Sequence, residues 1–217
     1  MSYTSITVAS ALIYLVSCTP SVPCFDDVYR QVTPKTIQLG RPISPVVGKP
    51  IMTVTGKVQA VQMEKTLPTG VVPKERKPVT ATSQVRTSQA NQSNRIVMDQ
   101  AHLNTLGLVE YAVEDPFEKT TNTFRGVLFR DLLELWQVAP DAKMLTITAL
   151  DDYQVQVPIS ILKEYPILLA HQQNGEMMTR DYRGPAMLVT PLTQYPSVKE
   201  LSDRHQWIWQ ITKIHVE

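Results

Sequence analysis

The chain has 217 residues, 43% hydrophobic and 19% charged, and its 21 basic residues stand against 20 acidic ones for a net charge of +1. So even a balance provides no whole-surface positive field for gripping nucleic acid, and no apolar run reaches the roughly 18 residues of a membrane-spanning helix. Sixteen prolines against eight glycines favour strands, turns and extended segments over a helical bundle.

Ile6–Val16 is apolar for eleven residues, the length of a signal h-region. It runs into Leu15-Val16-Ser17-Cys18, which fits the pattern of a lipidated, processed cysteine. Residues 1–18 are therefore expected to act as a signal or lipoprotein-like segment, with Cys18 as the lipidation site and a periplasmic or outer-envelope location. No Lys or Arg precedes the run, so an ordinary buried first element stays open as the alternative. If Cys18 is not acylated, a Cys18–Cys24 loop is the other use of these thiols. Both cysteines precede Phe25, and the rest of the chain has no thiol for a zinc cage, a CxxC site or a nucleophile. His102, His171, His205 and His215 show no ligand spacing, so no metal site is expected.

Residues 19–50 are proline-rich and polar, and read as an extended tether. The folded body is expected over 51–217. It opens with an alternating strand at Ile51–Val58 and carries a flexible insertion at about 59–95, where six basic residues face two acidic ones. Ile96–Met98 reads as a strand. Asp99 then caps a helix from Gln100 to Leu106 that Gly107 ends. A strand over Leu108–Glu114 follows. Val127–Val138 has helical spacing, with Leu128, Leu132, Leu135 and Trp136 on one face. Met144–Leu150 and Tyr153–Val157 read as strands around Asp151-Asp152, and Ser160 as the cap of a short helix to Glu164. A strand at Ile167–Gln172 precedes Asn174-Gly175, a hairpin signal. Strands at Ala186–Thr190 and Trp207–Val216 close the chain. The predicted class is α+β: a mixed β-sheet domain with short inserted helices.

Several stretches, in this order and at these spacings, resemble one family. They are Phe124-Arg-Gly-Val-Leu-Phe-Arg-Asp-Leu-Leu133, Thr148-Ala-Leu-Asp-Asp-Tyr153, Asn174-Gly-Glu176, Arg183-Gly-Pro-Ala-Met-Leu-Val-Thr-Pro191 and Lys213-Ile-His-Val216. Over residues 96–216 the chain is similar to the molybdopterin-binding domain of sulfite oxidase-type oxidoreductases. The resemblance implies a compact domain whose loops cradle a pterin-linked molybdenum, held by the pterin dithiolene and one protein cysteine. That cysteine belongs in the loop ahead of Phe124, near Val113 or Glu114, where this chain has none. Glu114 or Asp115 would be a harder substitute ligand. A gapless fit of the tail puts Trp209 and Gln210 where the family has lysine and tryptophan, leaving Lys199 as a surface residue.

The expected cofactor-binding residues are Arg183, Gly184 and Pro185, with Arg180, Asn122 and Trp209 around them. Glycine permits close backbone approach and a guanidinium pairs bidentately with a phosphate or a pterin edge. The alternative for Arg183–Pro185 is a plain loop into the next strand. Asp151-Asp152 reads as turn chemistry before acid–base chemistry. Trp207 and Trp209, on one strand face, read as core before stacking platform, and His171 as core before ligand. The expectation is therefore an exported, family-level oxidoreductase domain without molybdenum catalysis. Its alternative is a non-catalytic binding module for a small anionic or heterocyclic ligand or a membrane-protein partner. No bound cofactor is expected, although the resemblance allows molybdopterin. Membrane contact would come only through an acyl chain on Cys18.

Overall fold

The computed structural model describes residues 28–38, 40–63, 95–198 and 207–217. The expectations for Cys18, Cys24, Lys199, His205 and most of the 59–95 insertion lie outside those residues. Alternating exposure sorts the strands into two sheets. The first runs β1 (Arg30–Gln31), β4 (Val109–Glu114), β5 (Thr121–Leu128), β8 (Leu168–Gln173) and β10 (Met187–Val189), with β9 (Glu176–Met177) also on β8; all its pairings are antiparallel. The second runs β3 (Ile96–Asp99), β2 (Pro50–Gly56), β11 (Ile211–Val216), β6 (Met144–Ala149) and β7 (Gln154–Pro158), and its β2–β11 pair is parallel. Short helices α1 (Gln100–Thr105), α2 (Phe129–Leu135) and α3 (Ile159–Glu164) lie between the strands. The mixed-sheet α+β class is the one the sequence predicts.

A large core gathers Val54, Met98, Leu132, Trp136, Ile147, Leu162 and Ile214. A smaller one, around Phe124, Tyr111, Met187 and Trp207, lies on the other face of the first sheet. Phe124 explains one correction. The helix read over Val127–Val138 begins only at Phe129, because β5 runs through the F-R-G segment as a strand flanked by β4 and β8. At Gly126 a Cβ would run into the Leu169 carbonyl oxygen, so glycine is what lets β8 approach.

Two caps differ in outcome. Asp99 caps α1 as expected, its carboxylate accepting from the His102 amide at 3.1 Å. Ser160 does not cap α3, which starts at Ile159 after Pro158 with no side-chain cap.

Residues 28–50 are not a free tether. Arg30 and Gln31 pair with β4, Ile43 is 1% exposed in the large core, and Val28, Val32 and Ile37 pack against that core. The extended backbone is there, as proline content dictates, but its apolar residues find partners. The start of the insertion is also fixed: Ala60 is buried, and Gln62 bonds both the amide and the carbonyl of Val97 at 2.8 Å.

Asp99 fastens this arm. One carboxylate oxygen accepts from the Val47 and Gly48 amides at 2.8 Å each, and the other lies 2.6 Å from His102 Nδ1, whose ring partner Nε2 is 2.9 Å from the Ser44 carbonyl. Burial alone would raise the Asp99 pKa, but the amides of Gly48, Val47 and His102 and the nearby imidazole outweigh it and bring it to about 2. A carboxylate depressed on folding stabilises the fold above its unfolded value and loses that contribution as pH falls through its folded value. Asp99 should therefore contribute about 2 kcal/mol at neutral pH, lost between about pH 4 and 2. Urea melts across that range should show the loss, and Asp99→Asn should flatten it.

Candidate ligand cleft beside a closed loop

The fold turns Arg183, the residue the sequence points to for ligand binding, inward. The β9–β10 loop is tightened by Thr179, whose carbonyl accepts from the Tyr182 amide at 3.0 Å and from the Gly184 amide at 2.7 Å. Arg183 adopts φ +56° in this turn, and its side chain is only 8% exposed. Its Nη1 donates to Asp115 Oδ2, and its Nη2 donates to Glu118 Oε1 at 2.9 Å. The guanidinium also lies 5.1 Å from the Tyr182 ring centre and 5.4 Å from that of Trp209.

The partner loop is built to receive it. Asp115 is fully buried, and its other oxygen accepts from the amides of Phe117 at 2.8 Å and Glu118 at 3.1 Å. Burial alone would raise the Asp115 pKa; the hydrogen bond from Arg183 and the two amides reverse this and hold it below the ordinary range. The segment 114–120 is thereby closed onto Arg183. A cation already saturated by carboxylates has little affinity left for a phosphate.

The other expected site residues divide. At Gly184 a Cβ would meet the Met178 carbonyl, so the glycine serves the loop's own packing. Asn122 is buried and spent on structure, donating to Thr120 Oγ1 at 3.1 Å and accepting from Asn174 at 2.9 Å. Arg180 and Pro185 stand away from the Arg183 cluster, on a separate groove. Trp209 alone among the six meets both the Arg183 cluster and an open cleft.

The two tryptophans do not share a strand face. The chain from 207 to 210 precedes β11, and Gln210 has φ +54°. Trp207 is buried edge-on against Phe124 at 5.1 Å, whereas Trp209 is 36% exposed and edge-on to Phe117 at 5.2 Å. Trp209 is held in place because the Gln210 amide donates to the Arg183 carbonyl at 3.0 Å. Asp151-Asp152 forms the β6–β7 turn, Asp152 at φ +63° and Asp151 accepting from the Tyr153 amide at 3.1 Å. His171 is a core residue: burial, reinforced by the Arg125 charge, pushes its imidazole down to about 4.

These elements bound a cleft of about 360 Å³ lined by Phe117, Asp151, Tyr153, Trp207 and Trp209. Phe117 and Tyr153 are 60% and 54% exposed, so both rings are open to solvent at the cleft. Sequence reasoning missed Phe117, Glu118 and Tyr153. The signal was Asp115-Pro116-Phe117-Glu118, an Asx turn presenting a large apolar residue in a loop.

A family model described as the oxidoreductase molybdopterin binding domain matches residues 76–205, more than half of the chain. The chain belongs to this family. Among solved structures, the sulfane dehydrogenase SoxCD from Paracoccus pantotrophus is similar at 13% identity with a TM-score of 0.47, covering 94% of this chain and 49% of that one. The chain thus spans about half the length of that protein. No curated protein sequence matches it.

Molybdopterin is the group the family name implies, and the loop ahead of Phe124 can be tested for it by its donors. Val113 is buried in the smaller core, Glu114 lies on β4, and the Asp115 carboxylate is occupied by Arg183 and two amides. That loop has no thiol, and among the described residues no group of three or more His, Cys, Asp or Glu is placed to hold a metal ion. These donors do not fit a metal bound through a protein thiolate.

Proposed function

We propose that this member of the molybdopterin-binding domain family is a non-catalytic binding module that takes a flat heterocycle in the Phe117–Tyr153–Trp209 cleft. The supporting observation is the pairing of Arg183 with Asp115 and Glu118. It occupies the Asp115 carboxylate, next to the position where the resemblance implies a metal ligand, and aromatic rings stand open beside it. Each ring contributes stacking of about 1 kcal/mol to a bound heterocycle, and Asp151 at the rim offers an acceptor for a ring amino group. Calorimetric titration with pterin tests this. Wild-type protein should bind, and Trp209→Ala and Tyr153→Ala should each weaken binding about fivefold. Equal affinity in all three proteins, or no heat with the wild type, contradicts the reading.

We further propose that the module is exported and held at the envelope by an acyl chain on Cys18, on the strength of the Ile6–Val16 run and the Leu15–Cys18 pattern. Cys18→Ser should move the protein from the membrane fraction to the soluble one. An unchanged distribution would rule out the anchor.

A further inference from the structure

A second concavity, of about 480 Å³, lies apart from the aromatic cleft, between the start of β2 and the loop that follows β9. Ile51, Met177, Met178 and Pro185 give it apolar walls, and Lys49 and Arg180 stand on its two sides. Both cations are exposed, and among the described residues neither side chain has a hydrogen-bond or ion-pair partner. Asp181 is the one carboxylate of the lining, which leaves a net single positive charge.

The backbone on either side of the groove is held by hydrogen bonds. Lys49 follows Gly48, whose amide, like that of Val47, is held at 2.8 Å by the buried Asp99 carboxylate. The Arg180 carbonyl accepts from Gln210 Nε2 at 2.7 Å, and the neighbouring Thr179 carbonyl accepts two loop amides. Unpaired cations on a preorganised backbone over an apolar wall favour a ligand with the matching division. We propose that this groove binds an amphipathic anion, its charged head between Lys49 and Arg180 and its apolar body against Met177, Met178 and Pro185. Arg183 is unavailable for this role because Asp115 and Glu118 hold it; the anion preference read from the sequence is thereby moved to Arg180 and a partner, Lys49, that the sequence did not single out.

Hexyl phosphate is the probe, with inorganic phosphate and hexanol as its separated halves. Amide chemical shifts and calorimetry on the full chain should show hexyl phosphate binding at least about tenfold tighter than either half. Lys49→Gln and Arg180→Gln should each weaken it about fivefold or more and leave pterin binding at the aromatic cleft unchanged. Both side chains are exposed, so neither variant endangers the fold. Hexyl phosphate binding no better than hexanol, or equally well to both variants, overturns the proposal. Co-sedimentation with anionic lipid vesicles that disappears in the same variants identifies a lipid headgroup as the source of the anion, and wild-type protein left in the supernatant identifies a soluble one.

Discussion

Replacing Arg183 by Met should cost about 3–5 kcal/mol of folding stability, because the substitution abandons a buried carboxylate and removes no exposed function. Asp115 is fully buried and the Arg183 side chain is 8% exposed, so the charge left behind has no water to turn to. Glu118, with its side chain 41% exposed, contributes far less. A second substitution, Asp115→Asn in the Arg183→Met background, should recover much of the loss, since it removes the stranded charge and keeps the oxygen that accepts from the Phe117 and Glu118 amides. Urea unfolding of the single and double variants reads both effects. A ligand-facing arginine behaves oppositely: stability stays near the wild-type value and affinity alone falls.

Phe124→Ala carries an expectation of similar size, about 3–5 kcal/mol for emptying a large core position. The ring is 0% exposed and packs edge-on to Trp207, which reaches the aromatic cleft from its other side. Deleting it should therefore do two things at once. The melting temperature should fall, and pterin affinity should drop as Trp207 sinks into the vacated space. A folded variant with unchanged affinity would mean that Trp207 does not form the cleft floor.

Much of the fold is legible because alternation and turn residues state it locally. Asp99 and Gly107 mark the ends of α1, Asn174-Gly175 closes the β8–β9 hairpin with φ of 52° and 85°, and the run Ile211–Val216 forms a strand. What misleads is local evidence with two uses. The helical spacing of Leu128, Leu132 and Leu135 draws Val127 and Leu128 into the helix, yet their pairing with β8 makes these two residues the end of a strand. Ser160 is a good cap by chemistry, but the helix has its N-cap at Pro158, two residues too early for it. Prolines suggest a free arm, whereas Ile43 and the Asp99 clasp bind that arm to the core.

The site was legible only in part. Arg183 and Trp209 stand out as residue types and prove to be neighbours, 5.4 Å from guanidinium to ring centre. The sequence could not show that Arg183 is already paired, because Asp115 and Glu118 lie more than sixty residues away and meet it only through the register of β4 and β5. Asn122 looked suited to lining a cleft and is consumed by Asn174 instead. Phe117 carries no signal of its own and Tyr153 reads as the start of a strand, yet both supply open ring faces.

The measurement that bears most directly on this account is elemental and pterin analysis of intact protein purified from a host able to make the molybdenum cofactor. A chain whose candidate ligand loop is tied up by a guanidinium should carry no stoichiometric molybdenum, whether or not it retains a pterin. One molybdenum per chain, lost when Asp115 or Glu114 is substituted, would contradict the account and return the protein to redox chemistry.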